Sequence, residues 1–259
     1  MPFIQTRLEN HIGTITMNHP EHRNALSEVL IDEMIEAFEA MTEQKARVIV
    51  LRAHAGAKVW SSGHDVKELP TPGRDPLGYE DSLVRVLRTV QYLTMPVIAM
   101  IGGSVWGGAC DLAFTCDILI GSPEAQFTMT PAKLGVPYNP SGLLRFMNIL
   151  GLNSAKEMFF TAQPVKAERA HLQGILNHLV PADSLETFTY ELARNITHNS
   201  PLSIAAMKES FRLLANASPL TPNMFERIQG LRRKVYDSGD YREGIQSFLE
   251  KRAPVFNGE

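Results

Sequence analysis

Cysteine is nearly absent: Cys110 and Cys116 are too few for a disulfide framework, so a reducing compartment, the cytoplasm, is expected. An excess of charge is also missing. Twenty-five Lys and Arg against 28 Asp and Glu leave a net charge of −3, which offers no field for nucleic acid or an anionic membrane. Met1–Asn10 has no basic region followed by an apolar run, so no signal peptide is expected. Asn195-Ile196-Thr197 and Asn216-Ala217-Ser218 therefore carry no weight as glycosylation sites. The eight histidines are scattered, without H-x-x-x-H or a cysteine at ligand spacing, and no metal is expected. No G-x-G-x-x-G or P-loop spacing occurs, which removes support for dinucleotide binding and nucleotide hydrolysis.

What is present is an ordinary globular composition, 44% apolar and 20% charged over 259 residues, enough to bury a sizeable core. Thr89–Cys110 carries no charge and is long enough to cross a bilayer. Pro96 and the glycines at 102, 103, 107 and 108 break it, so it reads as a buried strand, a turn and a buried helix.

The spacing predicts strands over Phe3–Glu9 and His11–Met17, separated by Asn10, and a helix capped by Ser27. Val48-Ile49-Val50-Leu51 is apolar on both faces, as in a covered parallel strand. A helix over Tyr79–Leu93, a strand over Val97–Ile101, a helix over Trp106–Thr115 and a strand at Ile118–Ile120 follow. This alternation predicts an α/β fold with a largely parallel sheet. After about residue 140 the chain turns helical, with Ser141–Leu150, Ser154–Thr161, Lys166–Leu172, Ser184–Asn199, Pro201–Ala215, Asn223–Tyr236 and Tyr241–Lys251 as helices and Asn177–Val180 as a lone strand. The last two or three helices read as an appendage.

Three loops follow predicted strands, where open α/β sheets usually place ligands. They are Trp60-Ser61-Ser62-Gly63-His64-Asp65, Gly102-Gly103-Ser104-Val105-Trp106-Gly107-Gly108, and Thr128-Met129-Thr130-Pro131 running on to Gly135-Val136-Pro137-Tyr138-Asn139-Pro140. In the second, Gly107-Gly108 opens a helix whose first N–H groups lack intrahelical partners. That is half of an oxyanion hole, with the N–H of His64 as the other half. Tight helix–strand packing accounts for the same glycines, and spacing alone leaves both readings open. Trp106 stands where the G-x-S-x-G elbow needs glycine, which leaves an esterase using Ser104 a poor alternative. Cys110 and Cys116 read as small core residues. Leu231-Arg232-Arg233-Lys234 reads as a solvated face, with phosphate binding as the minority reading.

Asn24-Ala25-Leu26, Ser61-Ser62-Gly63-His64-Asp65, Gly102–Gly108 and Thr115-Cys116-Asp117 resemble, in the same order and across essentially the whole chain, the signatures of the enoyl-CoA hydratase/isomerase family, the crotonase superfamily. The resemblance implies a crotonase-like spiral of ββα units. Residues 1–199 would form an acyl-CoA-binding core and residues 200–259 a C-terminal helical trimerisation region, in a homotrimer or a dimer of trimers. It implies an acyl-CoA thioester substrate, with coenzyme A as part of the substrate, no separate cofactor and no metal. It also implies an oxyanion hole from the His64 and Gly108 N–H groups, and CoA contacts along Arg23, Ala25, Leu26, Ser62, His64, Asp65 and Val66.

Departures from the family pattern carry further meaning. Enoyl-CoA hydratases set two glutamates over the substrate to activate water and protonate carbon. Here the first position is Asp111, one methylene shorter, and the second falls at about Pro131, which has no acid–base chemistry. Gly63-His64-Asp65 with Glu68-Leu69-Pro70, Gly73–Leu77, Met129-Thr130-Pro131 with Gly135–Asn139, Phe225–Gly230 and Val235–Ser238 resemble biotin-independent decarboxylating members instead. Those carry Glu where this chain has Asp111. Loss of CO2 from a methylmalonyl-type thioester needs no base, because the departing carbon dioxide leaves its electrons behind. The enzyme must hold the enolate, keep the carboxylate perpendicular to the thioester plane and exclude water. On this reading Tyr138 orients the carboxylate with help from Thr130, and water or Tyr138 reprotonates carbon. From the residues alone, Tyr138 is a turn tyrosine, and the His64 side chain has a surface or structural role. Asp111 is either a buried hydrogen-bond partner or a residual acid–base group. The alternatives are an enoyl-CoA hydratase or isomerase using Asp111 alone, and a non-catalytic acyl-CoA-binding subunit.

Overall fold

The computed structural model describes residues 2–215 and 221–258, and the Asn216–Ser218 sequon lies outside them. The chain opens with a hairpin of β1 (Ile4–Glu9) and β2 (Ile12–Met17), paired antiparallel. Its two-residue turn, Asn10-His11, has positive φ at both positions, the backbone twist that suits a tight hairpin. β2 then pairs in parallel with β3 (Val48–Ala53), which pairs with β5 (Val97–Ile101), then β7 (Ile118–Gly121), then β10 (His178–Leu179). Every residue of β5 is buried, as a strand covered on both faces requires. One face is covered by α6 (Leu185–Thr197), whose Leu185 and Ala193 pack on Val48, Val50 and Ile98. The opposite face carries the larger core.

A second sheet was not foreseen from the sequence. β4 (Val59–Ser61), β6 (Ser104–Trp106) and β8 (Gln126–Thr128) run parallel, and β9 (Val165–Lys166) closes the edge antiparallel. Each pass of the chain lays one strand in each sheet: β3 then β4, β5 then β6, β7 then β8. After the first pass comes α2 (Ser82–Tyr92), and after the second α3 (Gly108–Thr115), which is the repeating ββα unit of a spiral. Where β4 and β6 begin side by side, the backbones come close enough that a Cβ on Gly103 would meet the Lys58 carbonyl oxygen at 2.5 Å.

Helix starts are set by caps. Ser27 accepts from Leu30 N and opens α1 (Glu28–Glu43). The helix expected over Tyr79–Leu93 starts only at Ser82, because the Asp81 carboxylate accepts from Leu83 N and Val84 N. Trp106, expected in a helix, belongs to β6, and Gly107 is the cap of α3. The two helices expected over Ser141–Leu150 and Ser154–Thr161 are both present in α4 (Pro140–Thr161), two helical stretches that meet at a kink where Gly151 has φ 72° and ψ 162°. α5 (Ala167–Leu172) follows β9. The uncharged stretch is divided among α2, β5, β6 and α3, and no helix among the described residues is long and apolar enough to cross a membrane.

The last three helices behave differently from one another. α7 (Pro201–Ala215) buries none of its residues, and Leu202, Phe211 and Leu214 stand exposed. Polar side chains tie it inward: Lys208 donates to the Met95 carbonyl and to Asp117, and Arg212 lies over the Tyr92 ring. α8 (Pro222–Tyr236) and α9 (Gly239–Leu249) instead fold back over the 70–78 segment and the short 3-10 turn Pro131–Leu134. Arg232 pairs with Asp75, the Tyr241 hydroxyl donates to the Pro70 carbonyl at 2.9 Å, and Gly244 lies tight against Leu134.

Candidate active site

Two loops are pressed together by a glycine. Gly63 has φ +87°, a conformation L-residues rarely adopt, and any side chain there would run into the Trp106 carbonyl. The flanking backbone is fixed by Leu26, whose N–H donates to the Gly63 carbonyl at 2.8 Å and whose carbonyl accepts from Asp65 N at 3.4 Å. On the other side, Gly107 N donates to the Thr128 carbonyl at 2.8 Å, which sets the first turn of α3. As the first residue of α3, Gly108 has no intrahelical acceptor for its N–H. A Cβ built on Gly63 would lie 3.2 Å from Gly108 N, and one built on Gly108 would lie 3.5 Å from His64 N. The two amides therefore border one small space, and neither has a protein acceptor among the described residues.

That space belongs to a cavity of about 480 Å³, in the range of small-molecule sites. Arg23, Ala25, Ser62, His64, Asp65 and Val66 line it from the first loop and its neighbour. Trp106, Gly107 and Gly108 line it from the second, and Met129, Thr130, Pro131, Lys133, Val136 and Tyr138 from the third. Leu77, Leu83 and Phe248 of α9 add apolar wall that the sequence did not single out. The structure thus brings together all but two of the expected site residues. Leu26 is one exception: its side chain is fully buried in the core, and it acts through its main chain. Asp111 is the other.

Asp111 is fully buried and stands behind Tyr138 rather than in the cavity wall. One carboxylate oxygen pairs with Arg145 of α4, and the other accepts from the Tyr138 hydroxyl at 2.8 Å. Of its two sequence readings, the hydrogen-bond partner is the one this geometry matches. The Tyr138 pKa is pushed well above its usual value, first by burial and then by the Asp111 charge and hydrogen bond. Its single O–H is committed to Asp111, so the tyrosine presents its ring to the cavity and has no proton to donate there. Phe146 and Phe159 meet that ring edge-on. A Cβ on Gly142 would fall 2.9 Å from Tyr138 Cδ1. Gly142→Ala is therefore expected to displace the ring and lower turnover by about tenfold, through misplacement alone, with CoA-ester binding kept. Steady-state kinetics beside a product-binding titration measure this.

The His64 ring is enclosed, with 11% of its side chain exposed. Burial acts to lower its pKa, but the Asp81 hydrogen bond and charge, with the Asp65 carbonyl and the Glu68 charge, outweigh it and the net shift is upward. Asp81 was missed in the sequence, although Asp immediately before an apolar helical run is a cap signal. Arg145 was missed too, and nothing local marks it. Thr130 Oγ1 would lie 3.1 Å from a Cβ on Gly107, and the hydroxyl has no protein partner among the described residues. Pro131 lines the cavity, so a pyrrolidine ring stands where a second carboxylate was sought. The Ser104 hydroxyl takes the Trp106 indole N–H at 2.9 Å and has no histidine against it, unlike an esterase nucleophile. In the basic run, Arg232 is buried against Asp75, and the Lys and Arg side chains that line the cavity among the described residues are Arg23 and Lys133.

Residues 7–259 match the enoyl-CoA hydratase/isomerase family. The chain is 46% identical over 249 residues to methylmalonyl-CoA decarboxylase of Escherichia coli (strain K12), covering 96% of this chain and 95% of that one. It is 30% identical to a mitochondrial enoyl-CoA hydratase of Pongo abelii, over 96% of this chain and 85% of that one. Among solved structures, methylmalonyl-CoA decarboxylase complexed with 2S-carboxypropyl-CoA superposes with a TM-score of 0.98 at 44% identity, over 100% of this chain and 99% of that one. The same enzyme in complex with 2-nitronate-propionyl-CoA gives 0.97, also at 44% identity, over 99% of each.

Proposed function

The chain belongs to the enoyl-CoA hydratase/isomerase family, and from that premise we propose that it is a carboxy-lyase converting methylmalonyl-CoA to propionyl-CoA and carbon dioxide. One observation carries the reading: two unpartnered amide N–H groups share a cavity that lacks an acid–base pair. Among the described residues Asp65 is the one carboxylate in the lining, and its Oδ1 already accepts from Lys67 N at 3.1 Å. Such a site stabilises an enolate without moving a proton to make it.

In this mechanism the His64 and Gly108 N–H groups hold the thioester oxygen, and negative charge grows on that oxygen as the C–C bond breaks. The Thr130 hydroxyl, free to donate, holds the leaving carboxylate out of the thioester plane. Tyr138, Met129, Val136 and Leu83 wall the acyl end with apolar surface, which disfavours a carboxylate more than the CO2 it becomes. Water supplies the proton to carbon, because the Tyr138 proton is held by Asp111. Coenzyme A enters as part of the substrate, along Arg23, Ala25, Ser62, Asp65 and Val66, with Arg23 and Lys133 as the cations for its phosphates. No biotin is called for, since no carboxyl group is carried. Residues 200–259 serve assembly into a trimer or a dimer of trimers, a role supported by the exposed apolar side chains of α7. The two buried free thiols suit the reducing cytoplasm.

The test is CO2 release from methylmalonyl-CoA with crotonyl-CoA hydration measured alongside. Release with negligible hydration is expected. Hydration without release would return the role of acid–base group to Asp111 and end the decarboxylase reading.

A further inference from the structure

His64 faces two acceptors. Its Nε2 lies 3.2 Å from Asp81 Oδ2, and its Nδ1 lies 3.1 Å from the Asp65 carbonyl oxygen. A neutral imidazole has a single N–H, so either tautomer would turn a lone pair onto one of these oxygens; only the doubly protonated ring satisfies both. Asp81 is itself fixed, because its other oxygen caps α2 by accepting from Leu83 N and Val84 N. The ring thus joins the α2 cap to the strand end that offers His64 N to the cavity.

We propose that Asp81 is a positioning residue for the decarboxylation, holding His64 as a fixed imidazolium beside the paired N–H groups that receive the enolate. The inference rests on the decarboxylase reading above. A cation there opposes the negative charge that develops on the thioester oxygen, and an anchored ring keeps the His64 N–H from drifting off that oxygen. The charged groups acting on the ring are Asp81 from the α2 cap and Glu68 from the short 3-10 turn Val66–Glu68, both acidic. Glu68 is anchored in turn by the Glu28 N–H at 2.8 Å.

The sign of the pH effect follows. The imidazolium is lost as pH rises through the His64 pKa, so kcat declines on the alkaline side. Removing the Asp81 charge lowers that pKa and moves the decline to lower pH.

Asp81→Asn in the full chain tests this, because asparagine caps a helix about as well as aspartate. Two readouts are needed: the pH profile of kcat with methylmalonyl-CoA, and the NMR titration of the His64 ring. Both midpoints are expected to fall by about one pH unit or more, with kcat at alkaline pH down about tenfold or more and KM within about threefold. Asp81→Glu restores the carboxylate and should recover part of the profile. A His64 titration unchanged in Asp81→Asn overturns the proposal, as does a shifted titration with an unchanged kcat profile. If Asp81→Asn does not fold, His64→Gln keeps the main-chain N–H and the α2 cap, and should lose both the alkaline limb and about the same fraction of kcat. A His64→Gln enzyme with wild-type kcat then overturns the proposal. Wild-type protein that releases no CO2 would instead fail the decarboxylase reading, with the NMR titration still judging the His64–Asp81 pair.

Discussion

Replacing Gly108 with alanine is expected to lower kcat for CO2 release by about 10²–10³, roughly 3–4 kcal/mol of transition-state stabilisation, with the fold retained. The added Cβ would sit 3.5 Å from His64 N, in the space both amides border, and would evict the thioester oxygen from it. The structural cost is small. Alanine is a strong helix former, and the nearest collision, at 2.6 Å, is with Leu83 Cδ2, the far end of a side chain that can turn. A thermal melt beside single-turnover kinetics separates the two effects. An alanine variant that folds and turns over like the parent would mean that the enolate is stabilised elsewhere.

Truncating Arg145 to alanine should destabilise the fold by about 3–5 kcal/mol, because a fully buried Asp111 would lose its ion-pair partner. In a chain of this size that corresponds to a fall in Tm on the order of 10 °C. Adding Asp111→Asn should recover most of the loss, since the stranded charge and not the missing side chain is the main cost. The double variant also separates the two roles considered for Asp111. As a structural anchor for Tyr138, the asparagine form retains CO2 release to within about tenfold; as a general acid or base, it would lose activity by the 10²–10⁴ typical of such groups. Calorimetry and turnover on the same samples decide between these outcomes.

The long elements were legible because their apolar runs and caps are local in the chain. Val48–Leu51 and Val97–Ile101 are apolar on both faces, and Ser27 marks the start of α1 as a cap should. The second sheet was not legible. Val59–Ser61, Ser104–Trp106 and Gln126–Thr128 are three residues each, too short to show alternation, and they are strands only because their neighbours pair with them. The same division holds in the site. Glycines at 107 and 108 marked a helix start with free N–H groups, but not that positive φ at Gly63 would bring His64 N and Gly108 N to one space. The partners of Tyr138 and His64 depend on how α3 meets α4 and where α2 begins. How α3 meets α4 has no local signature, so the direction of the Tyr138 proton could not be read from its neighbours in the chain.

Phe248 on α9 walls the cavity, and Arg232 on α8 grips Asp75 in the segment that leads to Leu77. The amide donors are complete much earlier in the chain. During synthesis, a polypeptide emerged only as far as α7 would already carry both N–H groups but would bind its substrate in a trough open along one side. The thioester would then leave easily, and nothing would hold its acyl end against the amide donors. The closed cavity therefore depends on the last two helices, far along the chain from the amide donors they enclose.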